Sequence, residues 1–293
     1  MEKLNSKNAL GKLEKKVLGA NFKPENLIKE LNSHPLLKDY KVTISNYNRL
    51  SLYVEENENC KNCTGLDSCK NNTKGYSLRA SNDEECHLEA FPCNYQIEFE
   101  RIEAQKAKFK TLYLSKSILE ANFDDFRLDT VERRKALQYV NTFCQKIKNH
   151  DYAKGLYVCG NFQIGKTYFL AATANYLASN DIESLLIYFP DLVRELKSSM
   201  VDRQSFENKI NMIKTVPVLM LDDLGAEMCT AWLRDEILCP IINYRLQEHL
   251  PVFISSNLPL SELMDHYQII DNDTNNARRL VERIKALITF IEF

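Results

Sequence analysis

The feature that most constrains how this chain can fold is a glycine-flanked octapeptide, Gly160-Asn161-Phe162-Gln163-Ile164-Gly165-Lys166-Thr167. It lies directly between a short apolar run, residues 156–159, and a stretch with apolar residues at helical spacing. Glycines let such a loop wrap closely around an anion, and main-chain N–H groups of the loop and of the following helix point toward it. The octapeptide therefore predicts a phosphate-binding loop that joins a β-strand to an α-helix; a chance strand–turn–helix is the weaker alternative.

The same loop predicts individual contacts with the phosphates. Lys166 is expected to reach the outer phosphates, and Thr167 is expected to coordinate a magnesium ion. The predicted phosphate-binding residues are Gly160, Asn161, Phe162, Gln163, Ile164, Gly165, Lys166, Thr167 and Tyr168.

A second motif supplies acidic groups. The apolar run 216–221 ends in Asp222-Asp223. A buried strand delivers such groups to the edge of its sheet, where we expect Asp222 to bind the magnesium and Asp223 to orient or deprotonate an attacking water. Taken alone, an Asp pair can simply open a turn. Downstream of a phosphate-binding loop, the pair predicts that both motifs converge on one metal ion.

A third apolar run ends in Ser255-Ser256-Asn257. We expect Asn257 to act as a sensor that hydrogen-bonds the terminal phosphate or the attacking water, since its strand belongs to the same sheet. Asn257 also precedes Leu258-Pro259, so a plain turn residue is the alternative.

Short apolar runs alternate with helical stretches after Gly155, which is typical of an α/β fold with a parallel sheet covered by helices. The composition, 44% hydrophobic and 27% charged, is that of an ordered globular protein. A net charge of −2 argues against a strongly basic nucleic-acid coat, although a local basic patch could still contact DNA. The predicted strands are 156–159, 184–189, 216–221, 252–256 and 288–292, and a long helix is predicted at 130–148.

The first part of the chain is rich in cysteine. Five of the nine cysteines lie between Cys60 and Cys93, and the spacing of Cys60, Cys63 and Cys69 is typical of a turn that presents thiolates to one zinc ion.

The N-terminus lacks the apolar run of a secretory signal and no segment has the length of a membrane span, so we expect a cytoplasmic protein with reduced thiols. The isolated cysteines are expected to be buried apolar groups: Cys144, Cys159, Cys229 and Cys239.

Together these motifs resemble the helicase loaders among the AAA+ ATPases, the DnaC/IstB-like branch, and the resemblance covers most of the chain. Phrases outside the phosphate-binding loop also carry it: Lys154-Gly155-Leu156-Tyr157, Pro190-Asp191-Leu192-Val193-Arg194-Glu195-Leu196-Lys197, Leu219-Met220-Leu221-Asp222-Asp223-Leu224-Gly225-Ala226-Glu227, Trp232-Leu233-Arg234-Asp235-Glu236 and Ser255-Ser256-Asn257-Leu258. The resemblance implies an AAA+ P-loop fold and a slow ATPase that uses ATP and Mg²⁺. It also implies a function, the loading of the replicative DNA helicase during initiation and restart of replication, which is primosome assembly.

This resemblance also implies a domain plan and a set of partners. The expected regions are a small helical zinc-binding domain that docks on the helicase at 1–98, a linker at 99–122 and the AAA+ ATPase domain at 123–293. The implied partners are the hexameric replicative helicase, single-stranded DNA, other primosome proteins and further copies of the chain when ATP is bound; no membrane is implied. Basic residues that could face DNA follow the second strand: Arg194, Lys197, Arg203, Lys209 and Lys214. A solvated helix face explains these residues equally well.

Two further sets of residues follow from the resemblance. The Zn²⁺ ligands are expected to be Cys60, Cys63, Cys69 and Cys93, although Ser77 replaces a family histidine and leaves Cys86 or His87 open as the fourth ligand. The arginine that AAA+ ATPases insert into a neighbouring subunit's site matches Arg283 best, with Arg279 and Arg245 in reserve.

Several departures from the family pattern affect the expected activity. Gln163 stands where the loaders often have glycine, which leaves the phosphate-facing Gly160 and Gly165 in place. Asp223 stands where many fast AAA+ enzymes have glutamate, so slow, switch-like turnover is expected. Little of the chain remains after the last strand for a helical lid. Two other functions stay open, an IstB-like transposition ATPase and a protein adaptor in which the nucleotide serves only stability.

Overall fold

The computed structural model describes residues 24–81, 86–198, 202–268 and 274–293. The chain divides into two compact units after Arg101. The division falls inside the segment predicted to be a linker, 99–122. Residues 1–23 of the predicted N-terminal domain lie outside the described residues.

In its described part, the first unit combines helices with one β-hairpin. The hairpin pairs β1 (Tyr76–Ala80) with β2 (Leu88–Pro92) in antiparallel fashion. The helices are α1 (Pro24–Asn32), α2 (Tyr47–Lys61) and the part of α3 (Asn94–Lys108) up to Arg101, with short 3-10 helices at Pro35–Leu37 and Leu66–Ser68. Buried apolar side chains form a small core of its own: Leu37, Val42, Leu50 and Cys86.

The second unit is built on a six-stranded parallel sheet. Its strands are β3 (Phe109–Leu112), β4 (Gly155–Cys159), β5 (Ser184–Tyr188), β6 (Val218–Asp222), β7 (Val252–Ser256) and β8 (Ile288–Glu292). Their spatial order is β3-β5-β6-β7-β4-β8, with every neighbouring pair parallel. All residues of β4, β6 and β7 are buried, because helices cover both faces of the sheet, and these strands therefore read as continuous apolar runs.

Helices cover both faces of the sheet and pack on two different cores. They are α4 (Lys116–Leu119), α5 (Val131–Lys148), α6 (Lys166–Ser179), α7 (Phe189–Ser198), α8 (Arg203–Thr215), α9 (Cys239–Gln247), α10 (Leu260–Gln268) and α11 (Thr274–Leu287), with a π-helical segment at Leu233–Leu238. Successive residues of a strand alternate between the two cores. Tyr157 and Cys159 belong to the core under α7, α8, α9, α10 and α11, whereas Leu156 and Val158 belong to the core under α5 and α6.

This architecture confirms the predicted α/β fold, a central parallel sheet flanked by helices. The five predicted strands are present, two with the predicted ends and three with ends that differ by one or two residues, and the long helix is α5. Strand β3 lies within the segment predicted to be a linker and was not predicted. No helix in the described part of the chain combines the length and the apolarity needed to cross a bilayer.

Candidate functional site

The loop that joins β4 to α6 adopts left-handed backbone angles at three positions, with φ of 153° at Gly160, 64° at Gln163 and 92° at Gly165. Gly160 is also restricted by space, because an added Cβ would lie 2.9 Å from the main-chain oxygen of Phe293. Gln163 is the position where the resembling loaders often have glycine, and its φ explains why glycine suits it. Gly165 directly precedes α6, so the amino end of this helix is available to an anion held by the loop.

Lys166 is the first residue of α6 and is only 7% exposed. Its ammonium group donates to the main-chain oxygens of Gly160, at 2.9 Å, and Asn161, at 2.7 Å, and to Oδ1 of Asn257, at 2.7 Å. Burial lowers the pKa of Lys166, and the nearby Asp223 carboxylate opposes this shift. All three N–H donors therefore have protein acceptors that phosphate oxygens could replace.

Thr167 and Asp222 meet beside the lysine. The Thr167 hydroxyl lies 3.0 Å from both carboxylate oxygens of Asp222, and the Ser255 hydroxyl donates to Oδ1 of Asp222 at 2.6 Å. Burial raises the pKa of the Asp222 carboxyl, and hydrogen bonds from Ser255 and Thr167 lower it in part. A hydroxyl oxygen next to a carboxylate is the hard oxygen donor set that Mg²⁺ prefers, so these two residues fit the ion.

Asp223 is held by groups from the neighbouring strands. The Asn257 amide donates to its Oδ1 at 2.9 Å, and its own main-chain N–H donates to the Ser255 hydroxyl at 2.9 Å. Burial raises the pKa of Asp223, whereas Lys166 and a hydrogen bond from the Tyr188 hydroxyl lower it. Asn257 thus bridges Lys166 and Asp223, which is the position expected of a residue that senses the terminal phosphate.

A cavity of about 370 Å³ opens at this edge of the sheet. Asp222 lies behind its wall, and Gly160 and Asn161 contribute their carbonyl groups to Lys166. Of the predicted residues, the wall includes Phe162, Gln163, Gly165, Lys166, Thr167, Tyr168, Asp223 and Asn257.

Three residues of the cavity wall were not predicted as site residues, Tyr188, Ile118 and Ser255, although Ser255 belongs to the motif that ends in Asn257. A signal for Tyr188 existed, because it ends β5 in register with Asp222 and so reaches the same sheet edge. Ile118 lies in α4, inside the predicted linker, where no pattern pointed to a ligand.

The three candidate arginines lie in very different surroundings. Arg245 is completely buried, and its guanidinium donates to five main-chain oxygens, those of Ile213, Lys214, Val216, Pro217 and Pro251. The reserve role for Arg245 is therefore wrong, because a buried clamp of this kind cannot reach a neighbouring subunit. Arg283 and Arg279 lie on α11 outside the cavity wall, with Arg283 donating to Sγ of Cys239 at 3.5 Å and Arg279 exposed.

Two of the predicted zinc ligands, Cys60 and Cys69, accept hydrogen bonds from the segment that follows α2. The Asn71 amide donates to Sγ of Cys60 and the Gly75 N–H donates to Sγ of Cys69, both at 3.4 Å. The main-chain N–H of Cys93 donates to the Gly75 oxygen at 2.8 Å, which brings that residue to the same loop. Among the described residues, no group of three or more His, Cys, Asp or Glu is arranged to hold a metal ion.

The remaining cysteines occupy other places. Cys86, an alternative fourth ligand, is 1% exposed and packs in the apolar core of the first unit. Cys144 and Cys159 are buried as expected. Cys229 and Cys239 are only partly buried, so the expectation was wrong for these two.

Acidic neighbours already accompany two of the basic residues suggested for DNA contact. Arg194 pairs with Asp191, one turn away on α7, and Lys209 pairs with Glu195. Such pairs leave less local positive charge than the sequence alone indicated.

Comparison with known proteins places this site in a family. The replicative helicase loader DnaI of Bacillus subtilis is 35% identical over 273 residues, which cover 90% of this chain and 88% of that protein. The crystal structure of DnaI matches with a TM-score of 0.60 and 40% identity, and covers 64% of this chain and 98% of the solved chain. A crystal structure of a candidate primosome component from Streptococcus pyogenes matches with a TM-score of 0.56 and 28% identity, over 65% of this chain and 94% of that chain.

A scan of protein-family models gave no match. The full-length likeness nevertheless includes both units and the strands that carry the phosphate-binding loop and the acidic pair. On that likeness, this chain belongs to the DnaI family of replicative helicase loaders.

Proposed function

We propose that this protein is an ATP-dependent loader of the replicative DNA helicase, active in the cytoplasm during initiation and restart of replication. One observation carries the proposal: Lys166, Thr167, Asp223 and Asn257 line a single cavity, with Asp222 directly behind it. Lys166 and Thr167 begin α6, whereas the acidic pair lies at the end of β6 and Asn257 directly follows β7. The full-length likeness to DnaI favours helicase loading over transposition as the use of this site.

The chemistry of the site suits a nucleotide triphosphate. Phosphate oxygens would replace the acceptors of Lys166, which would release Asn257 from the lysine while leaving it bonded to Asp223. A bound Mg²⁺, held by Thr167 and Asp222, would neutralise charge on the phosphates. Asp223 and Asn257 would then orient the attacking water.

Turnover is expected to be slow, since the short Asp223 side chain holds a water less readily than glutamate. ATP then acts mainly as a switch for assembly and release. Steady-state hydrolysis by the purified protein should stay below about one turnover per second without DNA or helicase. A much faster rate of hydrolysis would contradict the proposal that ATP acts mainly as a switch.

Changing Lys166 to Ala tests whether the nucleotide drives function. Because the ammonium supplies three donors at the loop, we expect ATP affinity to fall at least about tenfold, with helicase loading lost in the same assay. Lys146→Ala, which changes a lysine of α5 outside the cavity, is the matched control. Loading that survives in Lys166→Ala would favour the adaptor function instead.

The proposed partners include the hexameric helicase, single-stranded DNA, other primosome proteins and further copies of this chain. Co-purification with the helicase in the presence and absence of ATP tests the contact with the helicase.

For self-assembly, we propose that Arg283 acts on a neighbouring subunit's nucleotide. Arg283→Ala should abolish hydrolysis without weakening ATP binding, whereas Arg279→Ala should retain both; equal hydrolysis in the two variants would reject the assignment.

We also propose that Cys60, Cys63, Cys69 and Cys93 bind one Zn²⁺. Their spacing supports this, as do the N–H donors at the sulfurs of Cys60 and Cys69, since such donors commonly orient metal-bound thiolates. Metal analysis of the freshly purified protein should give about one equivalent of zinc. Less than about half an equivalent, with no recovery after reduction, would reject the site.

A further inference from the structure

Glu227 is a buried carboxylate that does not line the nucleotide cavity. It is 5% exposed, although charged side chains are rarely buried without partners. Its Oε2 accepts the main-chain N–H of Gly225 at 2.7 Å, and its Oε1 accepts the Tyr267 hydroxyl at 2.8 Å. His266 Nε2 lies 3.7 Å from the same oxygen. The carboxylate is therefore satisfied from two directions, the turn after β6 and helix α10.

The turn that Glu227 braces is the one that presents Asp223. Asp223 has φ of 60° and Gly225 has φ of 94°, so both are left-handed. A non-glycine residue in this region is strained and persists only where its surroundings hold it. An added Cβ at Gly225 would lie 2.9 Å from Cδ1 of Leu258, which leaves the turn little room to change.

Hydrogen bonds fix this turn from both sides. Toward β7, the Leu224 N–H donates to the Ser255 oxygen at 2.9 Å, and the Ser256 hydroxyl donates to the Leu224 oxygen at 2.5 Å. Toward α10, the Gly225 N–H donates to the Glu227 carboxylate. Loss of this carboxylate would leave one side of the turn without its acceptor.

The anchor on α10 is itself rigid. Tyr267 is completely buried, and its main-chain oxygen accepts Nη1 of Arg234 at 3.1 Å. Arg234 is also completely buried and lies in the π-helical segment Leu233–Leu238. Glu227 therefore ties the Asp223 turn to an element that is fixed by a second buried polar contact.

We infer that Glu227 is a positioning residue for ATP hydrolysis, which sets the orientation of the Asp223 carboxylate through the main chain of the turn without touching the nucleotide. The inference rests on the proposed ATPase function. Loss of the Glu227 carboxylate should therefore change the orientation of Asp223 through the main chain of the turn.

Three variants of the full-length protein test this role. Glu227→Leu removes both acceptor oxygens at similar volume, and Tyr267→Phe removes only the anchor hydroxyl. In Glu227→Gln, the side-chain oxygen can still accept the Gly225 N–H, but the amide nitrogen cannot accept the Tyr267 O–H. Asp265→Leu makes the same carboxylate-to-leucine change on the exposed side of α10 and is the matched control.

At saturating ATP, we expect kcat to fall roughly tenfold or more in Glu227→Leu, and less in Glu227→Gln and Tyr267→Phe. The Kd of an ATP analogue should stay within about threefold of the parent protein, because no contact to the nucleotide is changed. A fall in kcat without a loss of affinity, smaller in Glu227→Gln than in Glu227→Leu, distinguishes a positioning role from a purely structural one.

Every outcome of these experiments either supports or overturns the positioning role of Glu227. If Glu227→Leu does not fold, the other two variants are sufficient, and a parent-like kcat in both would overturn the inference. A parallel loss of affinity, Tm and kcat would overturn it in favour of a folding role. If the parent protein hydrolyses no ATP under loading conditions, the proposed ATPase function fails first, and the role of Glu227 fails with it.

Discussion

At the scale of single residues, the site concentrates polar groups whose burial is unfavourable in the nucleotide-free protein. Asp222 is the clearest example, because it is 1% exposed and its pKa is raised by that burial. Two hydroxyl groups, from Ser255 and Thr167, offset only part of the effect. A carboxylate in this position is useful only when a cation joins it, so function and stability are in conflict here.

Changing Asp222 to Asn should therefore stabilise the nucleotide-free protein while removing the response to Mg²⁺. We expect the free energy of unfolding at pH 7 to rise by about 1 kcal/mol, measured by denaturant titration. A carboxyl whose folded pKa lies above its ordinary value of 3.8 binds more protons folded than unfolded, so stability falls as the pH rises through that window. The gap between variant and parent should thus grow from about pH 4 upward and then level off.

The exposed Asp151→Asn is the control for this experiment and should leave the stability and the Mg²⁺ response unchanged. A variant that is less stable than the parent at pH 7 would show that the ionised Asp222 carboxylate is favourable in the folded state. The explanation given for its raised pKa would then be incorrect.

At the scale of secondary-structure elements, the sheet depends on helices whose ends are capped locally. Helix α5 covers one face of the sheet with Ala136, Val140 and Phe143, all buried. It begins after Thr130, whose hydroxyl accepts the main-chain N–H of Arg133 at 3.2 Å. This cap satisfies one of the N–H groups that every helix leaves unpaired at its start.

Thr130→Ala should cost about 1 kcal/mol of stability, the usual effect of losing a threonine cap. Thr142→Ala is the matched control on the same helix, because that hydroxyl is exposed and bonds only to the Gln138 oxygen one turn back. We expect the control to be neutral, since such backward bonds do not stabilise a helix. Equal losses in both variants by urea denaturation would show that the cap contributes nothing specific.

At the scale of the whole molecule, the chain consists of two units with separate cores. The residues proposed to bind the nucleotide all lie in the second unit, after Arg101, whereas the cysteine cluster Cys60–Cys93 lies in the first. A ligand that binds only the folded form of one unit stabilises that unit by mass action. The two units should therefore respond differently to nucleotide.

We expect two unfolding transitions, of which only one moves when ADP and Mg²⁺ are added. The shift should be about 2.7 kcal/mol at a ligand concentration one hundred times Kd. Trp232 is the single tryptophan and lies in the second unit, so its fluorescence reports that unit, while far-ultraviolet circular dichroism reports both. Lys166→Ala should abolish the shift. A single transition seen identically by both probes would contradict the independent unfolding of the two units.

Much of the site could be predicted because its signals are local. A phosphate-binding loop is a matter of residue spacing over eight positions, and the strand that ends in Asp222-Asp223 is recognisable from its own apolar run. The parallel sheet follows from such runs alternating with helical stretches. The short edge strand β3 escaped prediction because its four residues include a lysine and a threonine and lack a continuous apolar run.

What only the tertiary structure decided is the neighbour relation among these parts. The order β6-β7-β4 places Asn257 between Asp223 and Lys166, and the register of β5 with β6 adds Tyr188. The burial of Arg245 and the bond from Tyr267 to Glu227 likewise join residues that are far apart in the chain. Local spacing and hydrophobic period are properties of a segment, whereas strand order and buried polar contacts arise from packing between segments, which no local pattern encodes.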